Sequence, residues 1–66
     1  MDLNPNQIDR LLGIADVVSA VGLSQSQIYT LVREQDFPRP IKLGGSSRWR
    51  TSAIVAWIDA KERATA

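Results

Sequence analysis

These 66 residues contain no cysteine and no histidine. The first absence excludes a disulfide framework, and the two together exclude thiolate and imidazole metal sites. They also remove the side chain that most often acts as general base and the thiol nucleophile. The few carboxylates are scattered, and a lone Asp16 or Glu34 reads as helix-surface charge. No glycine-rich phosphate loop is present either, because Gly44-Gly45 is not set in that pattern. The chain is therefore expected not to be an enzyme, and to use no cofactor, metal or small-molecule ligand.

Long apolar runs are missing too, so no membrane span is expected. The opening "MDLNPNQIDR" is polar and begins acidic, unlike a secretory leader. The expectation is a cytoplasmic protein. At this length it is one domain at most, and burying only ~60% of the surface of its unfolded chain leaves it marginally stable. Small domains often add a disulfide or a metal. Both are closed here, which leaves a small apolar core, helped by a partner.

One absence is local. From Phe37 to Arg50, "FPRPIKLGGSSRWR", there is no acidic residue, while Arg39, Lys42, Arg48 and Arg50 are all positive. Residues 1–32 instead carry Asp2, Asp9 and Asp16 against Arg10, a net −2. The overall charge of +1 hides this polarity. A basic stripe is either a solvated face or the electrostatic footprint of a nucleic-acid site.

What is present reads as five short elements. Residues 1–10 form an N-terminal tail with a turn at Asn4-Pro5-Asn6. Leu11-Leu12-Gly13-Ile14 is a short apolar run with the look of a strand stub. Val17, Val18 and Val21 have helical spacing, so a helix is expected over about 15–21, with Gly22 at its C-terminal end. Ser24 and Gln27 make a capping box, and Leu23 with Ile28 can staple it. A second helix follows over about 25–35, with Ile28, Leu31, Val32 and Gln35 on one face. Phe37-Pro38-Arg39-Pro40 is expected to stop it. "IKL" and "RWR" then alternate as strands around a Gly44-Gly45-Ser46-Ser47 turn. The expected hairpin has an apolar face of Ile41, Leu43 and Trp49 and an opposite face of Lys42, Arg48 and Arg50. Thr51 or Ser52 caps a third helix. That helix places Ile54, Trp57, Ile58 and Lys61 on one side and frays after Arg63. Trp49 and Trp57 are assigned to the core.

The order helix, tight turn, helix, hairpin, helix defines a mostly α fold with a small β-hairpin, a winged helix-turn-helix over 11–63, with 64–66 frayed. In a helix-turn-helix the second helix lies in the DNA major groove. Opposite Ile28 that helix carries Ser26, Thr30 and Arg33, with Tyr29 on the flank and Gln25 nearer the boundary. Arg reads guanine edges, Gln reads adenine, and Ser or Thr reaches bases or phosphates. These five are the candidate recognition residues. Arg39, Lys42, Ser46, Ser47, Arg48 and Arg50 are the candidate wing contacts. A small Gly-Ser tip flanked by cations suits a phosphate backbone or a minor groove.

The segments "LLGIADVVSAVGLSQSQIYTLVREQDFPRPIKLGG" and "RWRTSAIVAWI" resemble the AlpA family of phage and prophage regulators. The most telling pieces are "GLSQSQIY", "FPRPIKLG" and "WRTSAIVAWI", and the resemblance covers Leu11 to Ile58. The winged-helix domain of that family is similar to those of MerR-type regulators and excisionases. The resemblance implies a second helix placed in DNA and a hairpin used as a wing. Two positions depart from the family pattern. Gly13 stands where a longer, often basic residue is common. Thr51, Ala53 and Val55 stand where acidic or polar residues are usual.

The expected function is a sequence-specific, DNA-binding transcriptional regulator of a phage, prophage or other mobile element, associated with the nucleoid. One alternative is an excisionase that bends attachment-site DNA. Another, from a different class, is a protein-interaction module. Double-stranded DNA is the expected partner. Val55 marks the third helix as a surface for self-association or a helper protein.

Overall fold

A computed structural model of the chain describes residues 9–65. The elements are β1 (Leu11–Leu12), α1 (Ile14–Val21), α2 (Gln25–Arg33), β2 (Ile41–Leu43), β3 (Ser46–Arg50) and α3 (Thr51–Thr65). They make a winged helix-turn-helix: two helices, a hairpin and a third helix, with β1 added to the hairpin. The three strands form one antiparallel sheet in the order β1-β3-β2. Residues 1–8 of the expected tail lie outside the described residues, but Asp9 and Arg10 belong to the fold. The Thr51 N–H donates to the Arg10 carbonyl at 2.8 Å, and the Arg10 N–H donates to Thr51 Oγ1 at 3.1 Å.

α1 begins one residue before the expected start. Gly13 is its extended N-cap and offers no side-chain bond, while Gly22 ends it at φ 75°. That left-handed turn favours glycine, and its N–H caps the Val18 carbonyl at 2.9 Å. α2 starts at the expected capping box. Ser24 Oγ accepts from the Gln27 N–H at 3.1 Å, and Gln27 Oε1 accepts from the Ser24 N–H at 2.9 Å. Leu23, expected as the staple, is half-buried against the core that holds Ile28.

α2 ends two residues before the expected Gln35, and the prolines do not stop it. Gln35 itself adopts φ 62°. Its N–H donates to the Val32 carbonyl at 3.1 Å, and the Asp36 N–H donates to the Leu31 carbonyl at 2.9 Å. Those two bonds are the Schellman pattern, closed here by glutamine in place of glycine.

The core consists of Val17, Ile28, Phe37, Trp49 and Ile54. Phe37, expected only as part of a helix stop, is 5% exposed and sits between both tryptophans. Its ring centroid is 4.7 Å from Trp57 and 6.4 Å from Trp49, both in edge-on arrangements. The indole N–H groups grip the chain on either side of it. Trp57 donates to the Asp36 carbonyl at 2.7 Å and Trp49 to the Pro38 carbonyl at 2.8 Å. Both tryptophans therefore serve the core, as expected, and each polar tip is satisfied.

α3 does not use Thr51 or Ser52 as its cap. Asp9, 43 positions earlier in the chain, supplies it, its Oδ1 accepting the Ser52 N–H at 2.9 Å. The helix carries Ile54 into the core and continues to Thr65, past the expected end at Arg63. Lys61 folds across the Trp57 ring, 5.6 Å from its centroid, and pairs with Asp36 at 3.0 Å.

Candidate nucleic-acid interface

The exposed side of α2 is set by one buried residue. Ile28 is fully buried, which turns Ser26, Thr30 and Arg33 away from the core, while Gln25, nearer the boundary, is also exposed. These four and Tyr29 together line one open hollow of about 390 Å³. All five expected recognition residues are thus brought together. Arg33 Nη2 donates to Thr30 Oγ1 at 3.3 Å, which biases the guanidinium toward that hollow. Tyr29 has a second duty. Its ring lies 6.2 Å from Trp49, so it also closes the core between α2 and the sheet.

The wing departs from expectation. Its turn is the two residues Gly44-Gly45, with Gly44 at φ 64°, and Ser46 and Ser47 already belong to β3. The register pairs Ile41 with Arg48, Lys42 with Ser47 and Leu43 with Ser46. A two-residue turn always pairs an odd position with an even one, and directly paired residues share a face. Ile41, Leu43 and Trp49 are all odd-numbered, so they cannot form the single apolar face expected of them. Likewise Lys42, Arg48 and Arg50 cannot form one basic face.

The sheet instead has two mixed faces. One carries Lys42, Ser47, Trp49 and Leu12, and Tyr29 of α2 meets the Trp49 ring on this side. Lys42 Nζ donates to Ser47 Oγ at 2.8 Å here. The other face carries Leu11, Ile41, Leu43, Ser46, Arg48 and Arg50.

The two wing arginines are tethered in different ways. Arg50 Nη1 pairs with Asp9 Oδ2 at 3.1 Å. Arg48 is half-buried, and its Nη1 donates to the Ser47 carbonyl at 3.1 Å. Continuing the β1–β3 register by one residue puts Gly13 opposite Arg48. A Cβ on residue 13 would stand 3.3 Å from Arg48 Nη1. Gly13 is thus covered by a guanidinium reaching over from β3. Beside it is the N-terminus of α1, whose cap offers no side-chain acceptor. Arg39 is exposed between Pro38 and Pro40.

Among the described residues, Arg33, Arg39, Lys42 and Arg48 have no carboxylate within ion-pair distance. Their charge is available to an external anion. Asp9 is the residue that local patterning does not reveal. Its carboxyl is held below the ordinary aspartate range, chiefly by the Ser52 backbone N–H, with partial burial opposing and Arg50 and the Ser52 hydroxyl assisting. Nothing within ten residues of Asp9 signals this, because its partners lie 41 to 43 positions away.

Residues 10–62 match the family described as prophage CP4-57 regulatory protein (AlpA). An uncharacterized protein of Enterobacteria phage P4, ORF88, is 39% identical over 51 residues, which is 76% of this chain and 58% of that protein. The chain thus spans somewhat over half the length of this relative. No solved structure matches. The helix-turn-helix and the hairpin fall inside the matched region, as does α3 up to residue 62, and the chain belongs to the AlpA family of prophage regulatory proteins.

Proposed function

We propose that this chain is a sequence-specific DNA-binding regulator of transcription in a phage or other mobile element. The observation that carries the reading is the hollow on α2 lined by Gln25, Ser26, Tyr29, Thr30 and Arg33, with no acidic side chain among them. In the proposed complex α2 enters the major groove. Arg33 and Gln25 read base edges, while Ser26 and Thr30 reach bases or phosphates. The wing contributes Lys42, with Ser46 and Ser47 at the small tip, to the backbone or the minor groove. Arg48 and Arg39 add phosphate contacts, which supply affinity without sequence preference. Arg50 is bound to Asp9 and contributes to the field rather than to a direct contact.

Selection from a random duplex library tests this and requires no known operator. The expected result is one enriched motif. Arg33→Ala should then lose preference at one or two positions, by about 1–3 kcal/mol. Failure to bind any duplex at ~50 mM salt, where phosphate contacts are strongest, would overturn the reading.

A further inference from the structure

The hollow that holds Gln25, Tyr29 and Arg33 has a neighbour on the same helix. Ser26 and Thr30 stand roughly opposite the buried Ile28 and form a ridge along the outer side of α2. Beyond that ridge lies a second open hollow of about 390 Å³, lined by Leu23, Ser26, Gln27, Thr30 and Leu31. Ser26 and Thr30 line both. If α2 enters the major groove along this ridge, both hollows come to the base edges together.

The chemistry of the two differs. No charged side chain lines the second hollow. Leu23 and Leu31 are half-buried and pack against the core, which holds their remaining surface in place. The polar groups nearby are mostly engaged. Gln27 Oε1 accepts the Ser24 N–H at 2.9 Å in the capping box. Thr30 Oγ1 accepts from Arg33 Nη2 at 3.3 Å, and Arg33 belongs to the first hollow and not to the second. The Thr30 hydroxyl is thus turned toward the first hollow, which leaves its methyl for the second. What remains is a lining of two leucines and a methyl, with the Ser26 hydroxyl at its rim.

A phosphate finds no cation in such a hollow. The major-groove edges of the bases present hydrogen-bonding groups, and the apolar group among them is the C5-methyl of thymine. We propose that the second hollow takes that methyl, and that Leu23, Thr30 and Leu31 set a preference for thymine at one position of the site. The assignment deepens the DNA-binding reading above and rests on it. On one side of the ridge Arg33 and Gln25 read base edges by hydrogen bonds, and on the other the leucines read by apolar contact.

The test uses the full chain and the motif found by selection. Each thymine is replaced in turn by deoxyuridine, which lacks only the methyl. One replacement should weaken wild-type binding about fourfold, the transfer value of one buried carbon group. Thr30→Ser keeps the hydroxyl to which Arg33 donates and removes only the methyl, so its penalty for that replacement should shrink. Leu23→Ala should shrink it as well, and where that variant loses its fold Thr30→Ser decides alone. Gln25→Ala changes the first hollow only. It should bind the motif less tightly and keep the full penalty.

A motif without thymine would overturn the assignment. So would a wild type indifferent to every replacement, the result expected if the hollow rests on deoxyribose instead. A penalty undiminished in Thr30→Ser or in folded Leu23→Ala, or one lost equally in Gln25→Ala, would overturn it too. Failure of wild type to bind any duplex would instead count against the DNA-binding reading, so the two failures are distinguishable.

Discussion

Gln35 is the residue whose backbone least suits its type. At φ 62° it closes α2 in a conformation that costs a Cβ-bearing residue roughly 1–2 kcal/mol. Gln35→Gly should therefore stabilise the fold. The greater freedom of glycine in the unfolded chain takes back part of the gain, leaving about 0.5–1 kcal/mol. A higher urea midpoint with an unchanged slope would show it, and an unchanged midpoint would mean that the side chain makes a compensating contact. The helix end is hard to read from the chain for a physical reason. Gln35 continues the spacing of Ile28, Leu31 and Val32, and nothing in its type announces a left-handed turn. Phe37 is hidden in the same way. Next to a proline it looks like part of a breaker, and only the approach of Trp49 and Trp57 makes it a core residue.

Between elements, two features lend themselves to measurement. The first is Asp9, which ties the entry to β1 to the start of α3 through Ser52 and Arg50. Its folded pKa lies below the unfolded value of ~3.9, so its contribution is complete above that pH and is lost as pH falls through the folded value. The stability gap between wild type and Asp9→Asn should be constant from about pH 7 to about pH 5. It should shrink below about pH 4. Thermal melts across this range check it, and a gap that widened on acidification would contradict the assignment.

The second feature is the wing, whose two-residue turn separates Lys42 from the arginines. Lys42 shares its face with the ring that α2 touches, so Lys42→Ala should weaken binding to all duplexes alike. The slope of log affinity against log salt should fall by about one. A selective loss on the preferred motif would assign Lys42 a base contact instead.

For the molecule as a whole, the relevant quantity is the set of cations left for an external anion. Net charge is only +1, yet Arg39, Lys42 and Arg48 lack carboxylate partners among the described residues and belong to one stretch of chain. If these three each neutralise a phosphate, the salt slope should be about −2.7, and raising salt from about 50 to about 200 mM should cost roughly 40-fold in affinity. A slope near zero would mean that the basic stretch faces solvent in the complex. No described helix is long and apolar enough to cross a membrane. The family membership is that of prophage regulators.

Local chemistry determined much of this. The Ser24–Gln27 capping box, Gly22 and the spacing of Val17, Val18 and Val21 are short-range signals, and the structure bears out each at the residues that carry it. That suffices for two helices and a tight turn, and it fixes which side of α2 carries Ser26, Thr30 and Arg33, because Ile28 must face inward. The faces of the hairpin are not accessible in this way. They depend on the parity of the turn, and a run of Gly-Gly-Ser-Ser permits more than one turn length. The pairing of Asp9 with residues more than forty positions away, and the closing of Gly13 by Arg48, depend on where β1 docks beside β3. Contacts between distant segments leave no periodicity in the chain. Only the assembled fold decides which cations are held by carboxylates and which, among the described residues, are not.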